Sequence, residues 1–372
     1  MGTEKLAMKV NVLPTLTWNF LHINHAEINE EVQINGRGSQ IIQNIPNGVI
    51  VGSAGCDGCR GCGICRNEDI RTIQTGMGSE AAAFFDKTDP DTLVIRAKRG
   101  RDIAEPLCLN YMLCDGDGNV VRQEIYAEEG SSITVIMDYT SNKADKGFLG
   151  VQTRIHVGKG AAVHLVKTEL LGSGFLHFDD IGAAVDDGGM FDIVQMELGG
   201  GRNYVGLDVD LHGFQSTFNG NVGYLCLGGQ KLDMNYLISH SGKKSLSELQ
   251  VKGALRDRAE KNFRGTIDLK HGAKGASGDE QEETLLLSPE VKNKTLPVIL
   301  CDEEDVEGTH GATIGRLSSD MLFYMQTRGI SEREAEILMT RAKLNSVRRH
   351  ITDEKSVGRI QQFIEEAFED ER

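Results

Sequence analysis

A mainly β protein with a helical C-terminal part is what this sequence predicts, on three observations. Between residues 91 and about 300, short stretches alternate apolar and polar residues, as half-buried strands do. Glycine is abundant (44 residues) and proline scarce (6), a balance suited to tight corners between strands. Beyond Ser318 the apolar period lengthens to that of helices. At 372 residues the chain can bury a full core, as one elongated domain or two ordinary ones.

Three regions follow: 1–90, 91–315 and 316–372. The first is mixed and ends in a cysteine loop, the stretch "GSEAAAFFDK" and the turn signal Asp89-Pro90-Asp91. In the second, "TLVIRAKRG", "SSITVIMDYT" and "MFDIVQMELGGG" read as strands without intervening helices. Gly160, Gly189 and Gly229 each precede such a strand, a loose repeat of the kind found in sandwiches and β-solenoids. Its spacing is irregular, so pattern alone leaves that choice open. In the third region "SSDMLFYMQTRG" predicts a helix closed by Gly329, and Ser331 with Glu334 forms a capping box for the next. Thr352 opens another, with Val357, Ile360, Phe363, Ile364 and Phe368 on one face. That face either packs on the body of the protein or docks a partner.

A formal charge of -15 argues against binding nucleic acid or an anionic membrane, both of which demand a basic surface. No stretch approaches the roughly 20 apolar residues of a membrane span, and the N-terminus has no signal-peptide core. Crowded cysteines in such a chain point to a reducing cytoplasm and to thiolate ligands.

Those cysteines are Cys56, Cys59, Cys62 and Cys65 in "CDGCRGCGIC", half of the chain's eight. Thiolates three residues apart can turn toward one centre, and Gly58, Gly61 and Gly63 let the backbone curl around it. The run approaches the ferredoxin pattern but breaks it at the last spacing and at Asn67, where that pattern has proline. Metal or Fe–S ligation is the expectation, and a sulfur-accepting thiol cluster the alternative. Cys108, Cys114 and Cys226 read as core packing. Cys301 follows "LPVIL" and precedes His310 by nine residues; the two side chains face each other if their strands pair or stack. The acids Glu280, Glu282 and Glu283 read as a solvated turn or as further iron ligands.

At "THGATIGRLSSDMLFYMQTRGISEREAEILM" the chain resembles the SufB/SufD family of iron–sulfur cluster assembly proteins, as it does at "SHSGKKSLSELQVKGALRDRAEKNFRGTIDLKHGAKG" and "EETLLLSPE". The resemblance implies a right-handed parallel β-helix core with a mixed N-terminal region and a C-terminal α-helical part. It implies a non-enzymatic scaffold for an iron–sulfur cluster of [4Fe-4S] type, transient or bound. The implied partners are a second SufB/SufD-type subunit, a SufC-type ABC ATPase docked on the C-terminal helices, a sulfur donor and apo acceptor proteins. ATP hydrolysis then belongs to the ATPase, and this chain has no G-x4-G-K-[ST] loop of its own. By alignment Glu282 stands where SufB-like members have a cysteine, and Gly311 where they have a glutamate. His310 is kept, as in SufD. The implied assembly residues are His310, Cys301 and Glu282, with Cys56, Cys59, Cys62 and Cys65 as the nest for an intact cluster. Homodimer and heterodimer both remain open. An electron carrier or reductase subunit, with the cluster at 56–65, is the competing reading.

Overall fold

A parallel β-solenoid forms the body of the protein. The computed structural model describes residues 2–53, 68–143 and 145–369. An antiparallel hairpin of β1 (Thr3–Val10) and β2 (Ala26–Gln33) comes first, followed by β3 (Ser39–Gln43), β4 (Val49–Ser53) and α1 (Ser79–Thr88). From there strands alternate between two sheets. One sheet takes β5 (Thr92–Ala97), β7 (Gly118–Ala127), β9 (Lys146–Val157) and β11 (Gly174–Val185). It continues with β13 (Arg202–Leu211), β15 (Lys231–His240), β17 (Glu260–Leu269) and β19 (Lys292–Cys301). The other takes β6 (Leu107–Met112), β8 (Ser132–Thr140), β10 (Ala162–Leu170) and β12 (Met190–Glu197). It continues with β14 (Thr217–Cys226), β16 (Leu246–Leu255), β18 (Ser277–Leu286) and β20 (Glu307–Gly315). Pairing from β5 and β6 onward is parallel and in register. Short antiparallel β4 and β3 finish the first end of each sheet, while β19 and β20 are the last strands at the other. The fold expected from the family resemblance is thus present, and the sandwich is excluded.

The corners explain the irregular glycine repeat. Gly130, Gly160, Gly188, Gln215, Lys244 and Gly275 occupy one stacked corner, each two residues before a strand of the β6 sheet, with φ between 56° and 74°. Each donates its N–H to a carbonyl of the following coil, from Gly130 to Lys159 through Gly275 to Asp305, at 2.6–2.9 Å. Glycine meets this left-handed geometry without strain, yet Gln215 and Lys244 also adopt it. Gly228 belongs to a second corner, before the strands of the β5 sheet. The sequence therefore mixes two columns of glycines, one of them interrupted.

Apolar side chains of both sheets meet in the interior, among them Ile133, Val163, Phe191, Phe218 and Phe263. The outer faces are partly covered. Leu6, Val10, Phe84 and Phe85 of the hairpin and α1 pack with Phe148 and Phe178 on one side. On the other, α2 (Ser319–Thr327), α3 (Glu332–Arg348) and α4 (Glu354–Glu369) complete the chain. Leu344 and Val347 of α3, with Ile360, Ile364 and Phe368 of α4, pack against Ile136, Val166 and Val194. The apolar face predicted for the last helix therefore packs on the body. Ser318 caps α2, and Ser331 and Glu334 close the capping box of α3. Among the described residues no helix is long and apolar enough to cross a membrane.

Candidate functional site

Gly308, His310, Ala312 and Ile314 of β20 pair with Gly278, Glu280, Glu282 and Thr284 of β18. This line faces the interior: a Cβ on Gly308 would lie 3.3 Å from the Ile299 side chain of β19. On β18 all four positions are buried. On β20 they are exposed, because no further coil covers the terminal one. His310 thus stands on the open end of the solenoid, without a hydrogen bond to any described residue.

Two carboxyl groups occupy the rung beneath. Glu280 lies over Gly265 of β17, where an added Cβ would overlap its carboxyl group. Burial, reinforced by repulsion from Glu282, pushes Glu280 up to about 8, so it carries a proton at neutral pH. Glu282 is bonded by the Lys261 ammonium and accepts the Thr284 hydroxyl at 3.0 Å. Burial opposes the charge on Lys261, and Glu282 supports it. Yet Oε2 of Glu280 and Oε2 of Glu282 have no hydrogen-bond partner. Such orphaned oxygens cost ~1–3 kcal/mol each, so this rung is an unfinished polar network under an exposed imidazole.

This arrangement corrects the solvated-turn expectation for Glu280 and Glu282. Both sit inside a strand, at 2% exposure, because alternation turns every second residue of 279–283 inward. Glu283 does face outward, where it accepts from Lys252 of β16 at 3.0 Å and Lys343 of α3 at 2.9 Å. Those hydrogen bonds, Lys343 first, hold its carboxyl below the usual range.

Cys301 and His310 share the terminal coil, but their strands belong to different sheets and do not pair. Cys301 aligns with Leu269, and His310 with Glu280. The exposed Cys301 thiol donates to the Glu303 carbonyl at 3.2 Å. Of the cysteines assigned to the core, Cys226 is buried and its thiol is pushed up to about 12 by burial. Cys108 is half-buried and Cys114 exposed, against that expectation. Cys56, Cys59, Cys62 and Cys65 lie outside the described residues. Among the described residues no group of three His, Cys, Asp or Glu side chains is placed to hold a metal ion. Sequence reading missed Lys261. The signal was there, in "EKNFRGTIDL", where lysine occupies the strand face shared by Phe263 and Ile267.

A family model described as "SUF system FeS cluster assembly, SufBD core domain" matches residues 112–343. The chain belongs to the SufBD family. Its match to the iron-sulfur cluster assembly protein SufD of Bacillus subtilis is 28% identical over 218 residues, covering 58% of this chain and 50% of that protein. The SufD of Escherichia coli is 26% identical over 297 residues, 77% of this chain and 70% of the relative. A chloroplastic SufBD family protein of Arabidopsis thaliana, ABCI8, is 25% identical, covering 64% of this chain and 44% of its own length. The chain thus spans about half the length of the B. subtilis relative. The SufBD core match takes in the coils from β7 to β20 with α2 and most of α3. It leaves out the β1–β2 hairpin and α4.

Proposed function

We propose that this SufBD protein is a non-enzymatic scaffold on which an iron–sulfur cluster is built and from which it is handed on, the cluster being cargo. One observation carries the reading: an exposed imidazole, His310, on the uncovered last coil, above two buried carboxyl groups with unpartnered oxygens. A transient cluster needs donors that bind iron and let it go, and imidazole and carboxylate are weaker partners for it than thiolate. Binding iron at Glu280 displaces the proton that burial keeps there, which makes loading dependent on pH. Cys301, on the same coil, supplies a thiolate once deprotonated. Cys56, Cys59, Cys62 and Cys65 form the second donor set.

A single chain offers too few converging donors among its described residues, so the site is completed by a second SufB/SufD-type subunit. Strand edges support this. β19 and β20 are 10 and 9 residues long and end their sheets uncovered, and long free edges recruit another chain. A SufC-type ATPase docks on the C-terminal helices, where Phe323 and Tyr324 of α2 are exposed. The Lys343–Glu283 contact links α3 to the rung that carries Glu280 and Glu282. The complex works in the cytoplasm, between a sulfur donor and apo acceptor proteins.

Anaerobic reconstitution followed by transfer to an apo-ferredoxin tests this. The loaded protein surrenders its cluster, faster with the ATPase and ATP, and His310→Ala slows transfer at least tenfold without unfolding the chain. Retention of a stoichiometric, redox-cycling cluster would instead mark an electron carrier, and unchanged transfer by His310→Ala would remove the assigned role.

A further inference from the structure

Residues 11–25, between β1 and β2, combine a firmly held backbone with side chains that water disfavours. Asn24 accepts from the Thr17 amide and hydroxyl at 2.8 Å and donates to the Thr17 carbonyl and Asn19 at 3.1 Å. Asn11 donates to Asp233 at 2.7 Å, and Arg264, itself paired with Asp233, donates to the Ile23 carbonyl. On this pinned frame Leu16, Trp18 and Phe20 are 71%, 73% and 66% exposed. Trp18 and Phe20 meet edge to face with ring centroids 5.5 Å apart. A loop that owed its shape to burying its own apolar residues would not hold them outward. Aromatic residues concentrated in one exposed patch mark a contact surface.

The loop's attachment identifies what covers it. Lys294 of β19 donates to the Leu21 and His22 carbonyls at 2.9 and 3.3 Å, so the patch is tied to the last rung of its sheet. A chain pairing with the β19 edge would place its own strand about 4.8 Å beyond β19, within reach of Trp18 and Phe20. A net charge of -15 disfavours an anionic lipid surface as the alternative.

We propose that Leu16, Trp18 and Phe20 form an arm that docks on a second copy of this chain, alongside the pairing of the β19 and β20 edges. The arm rests on the subunit-pairing reading above and adds to it a hydrophobic anchor outside the family's core match. Analytical ultracentrifugation of the full chain tests both. The wild type dimerises, and Trp18→Ser with Phe20→Ser raises the dimer dissociation constant by roughly 30-fold or more, as loss of central aromatic anchors does. The melting temperature of the variant stays that of the wild-type monomer, because these side chains are exposed within one chain. A photoreactive benzoylphenylalanine at position 18 crosslinks to the terminal coil of the other copy. An Ile314→Glu variant, charged on the uncovered line of β20, separates the two ideas. If it dissociates the dimer while the Trp18/Phe20 variant does not, edge pairing stands and the arm is overturned. If neither variant affects the dimer, both fail. A monomeric wild type, or crosslinking only to added phosphatidylcholine vesicles, likewise overturns the arm.

Discussion

Two lysine–carboxylate pairs lie inside the solenoid, and they differ in what surrounds them. Lys167 of β10 and Asp179 of β11 pair in the middle of the stack, each side chain 1% exposed. Their remaining groups are engaged: Lys167 also reaches Thr153 at 3.3 Å, Asp179 accepts from Gln195 at 3.4 Å, and Gln195 in turn accepts from Tyr236 at 2.6 Å. Lys261 and Glu282 repeat the same chemistry one coil from the open end. There Lys261 reaches Thr295 at 3.2 Å, but one oxygen of Glu282 and one of Glu280 remain orphaned. A buried ion pair closed off on both sides is architecture; one left incomplete beneath an exposed histidine has capacity for a ligand.

The largest test of this contrast is to strip one partner from each pair. Asp179→Leu leaves the Lys167 ammonium uncompensated among packed coils and lowers unfolding stability by ~3–5 kcal/mol, measured by urea titration. Glu282→Leu removes a more accessible partner, and the loss is ~1–3 kcal/mol because water can enter above it. Equal losses would show the terminal rung to be as closed as the middle.

A titration sharpens the comparison further. Glu280 is raised from an ordinary 4.5 to about 8, so the folded chain holds a proton that the unfolded chain releases. Its contribution to stability is whole below about 4.5 and fades as pH climbs through 8. Glu280→Gln removes this component, and the variant's melting temperature falls less than the wild type's between pH 5 and 8. In the middle of the stack His177 works in the opposite direction. Burial lowers it to about 4, so its share of stability is present above 6.5 and lost as pH falls toward 4. His177→Gln therefore flattens the acid side only. The smallest effect is expected at the rim: His310→Ala changes stability by less than ~0.5 kcal/mol, as for other exposed positions, although it sits over the same rung.

These contrasts show where the sequence could be read and where it could not. Alternation in "TLVIRAKRG" and "SSITVIMDYT" marks strands, and Ser331 with Glu334 marks the start of a helix, since both signals are local. The solenoid was illegible from pattern because a coil joins two strands through two corners, and Gln215 and Lys244 stand where glycine would have shown the repeat. The acids of "GDEQEET" were misread because a run of polar residues resembles a surface turn, although in a strand half of them point inward. Their partner, Lys261, lies a coil back in the sequence and close only after folding. Trp18 and Phe20 carried no motif; their exposure depends on how Asn24, Arg264 and Lys294 hold the loop.

The stacked left-handed corner has one more consequence. Because each corner bonds only to the next coil, and contacts run between neighbouring coils, the body is assembled from interchangeable segments. Cutting out residues 188–214, from one such corner to the residue before the next, would join Asp187 to Gln215 and leave the corner pattern unbroken. Scaffold length can therefore change by whole coils, and with it the distance between the open rim and the N-terminal cap, without redesigning either end.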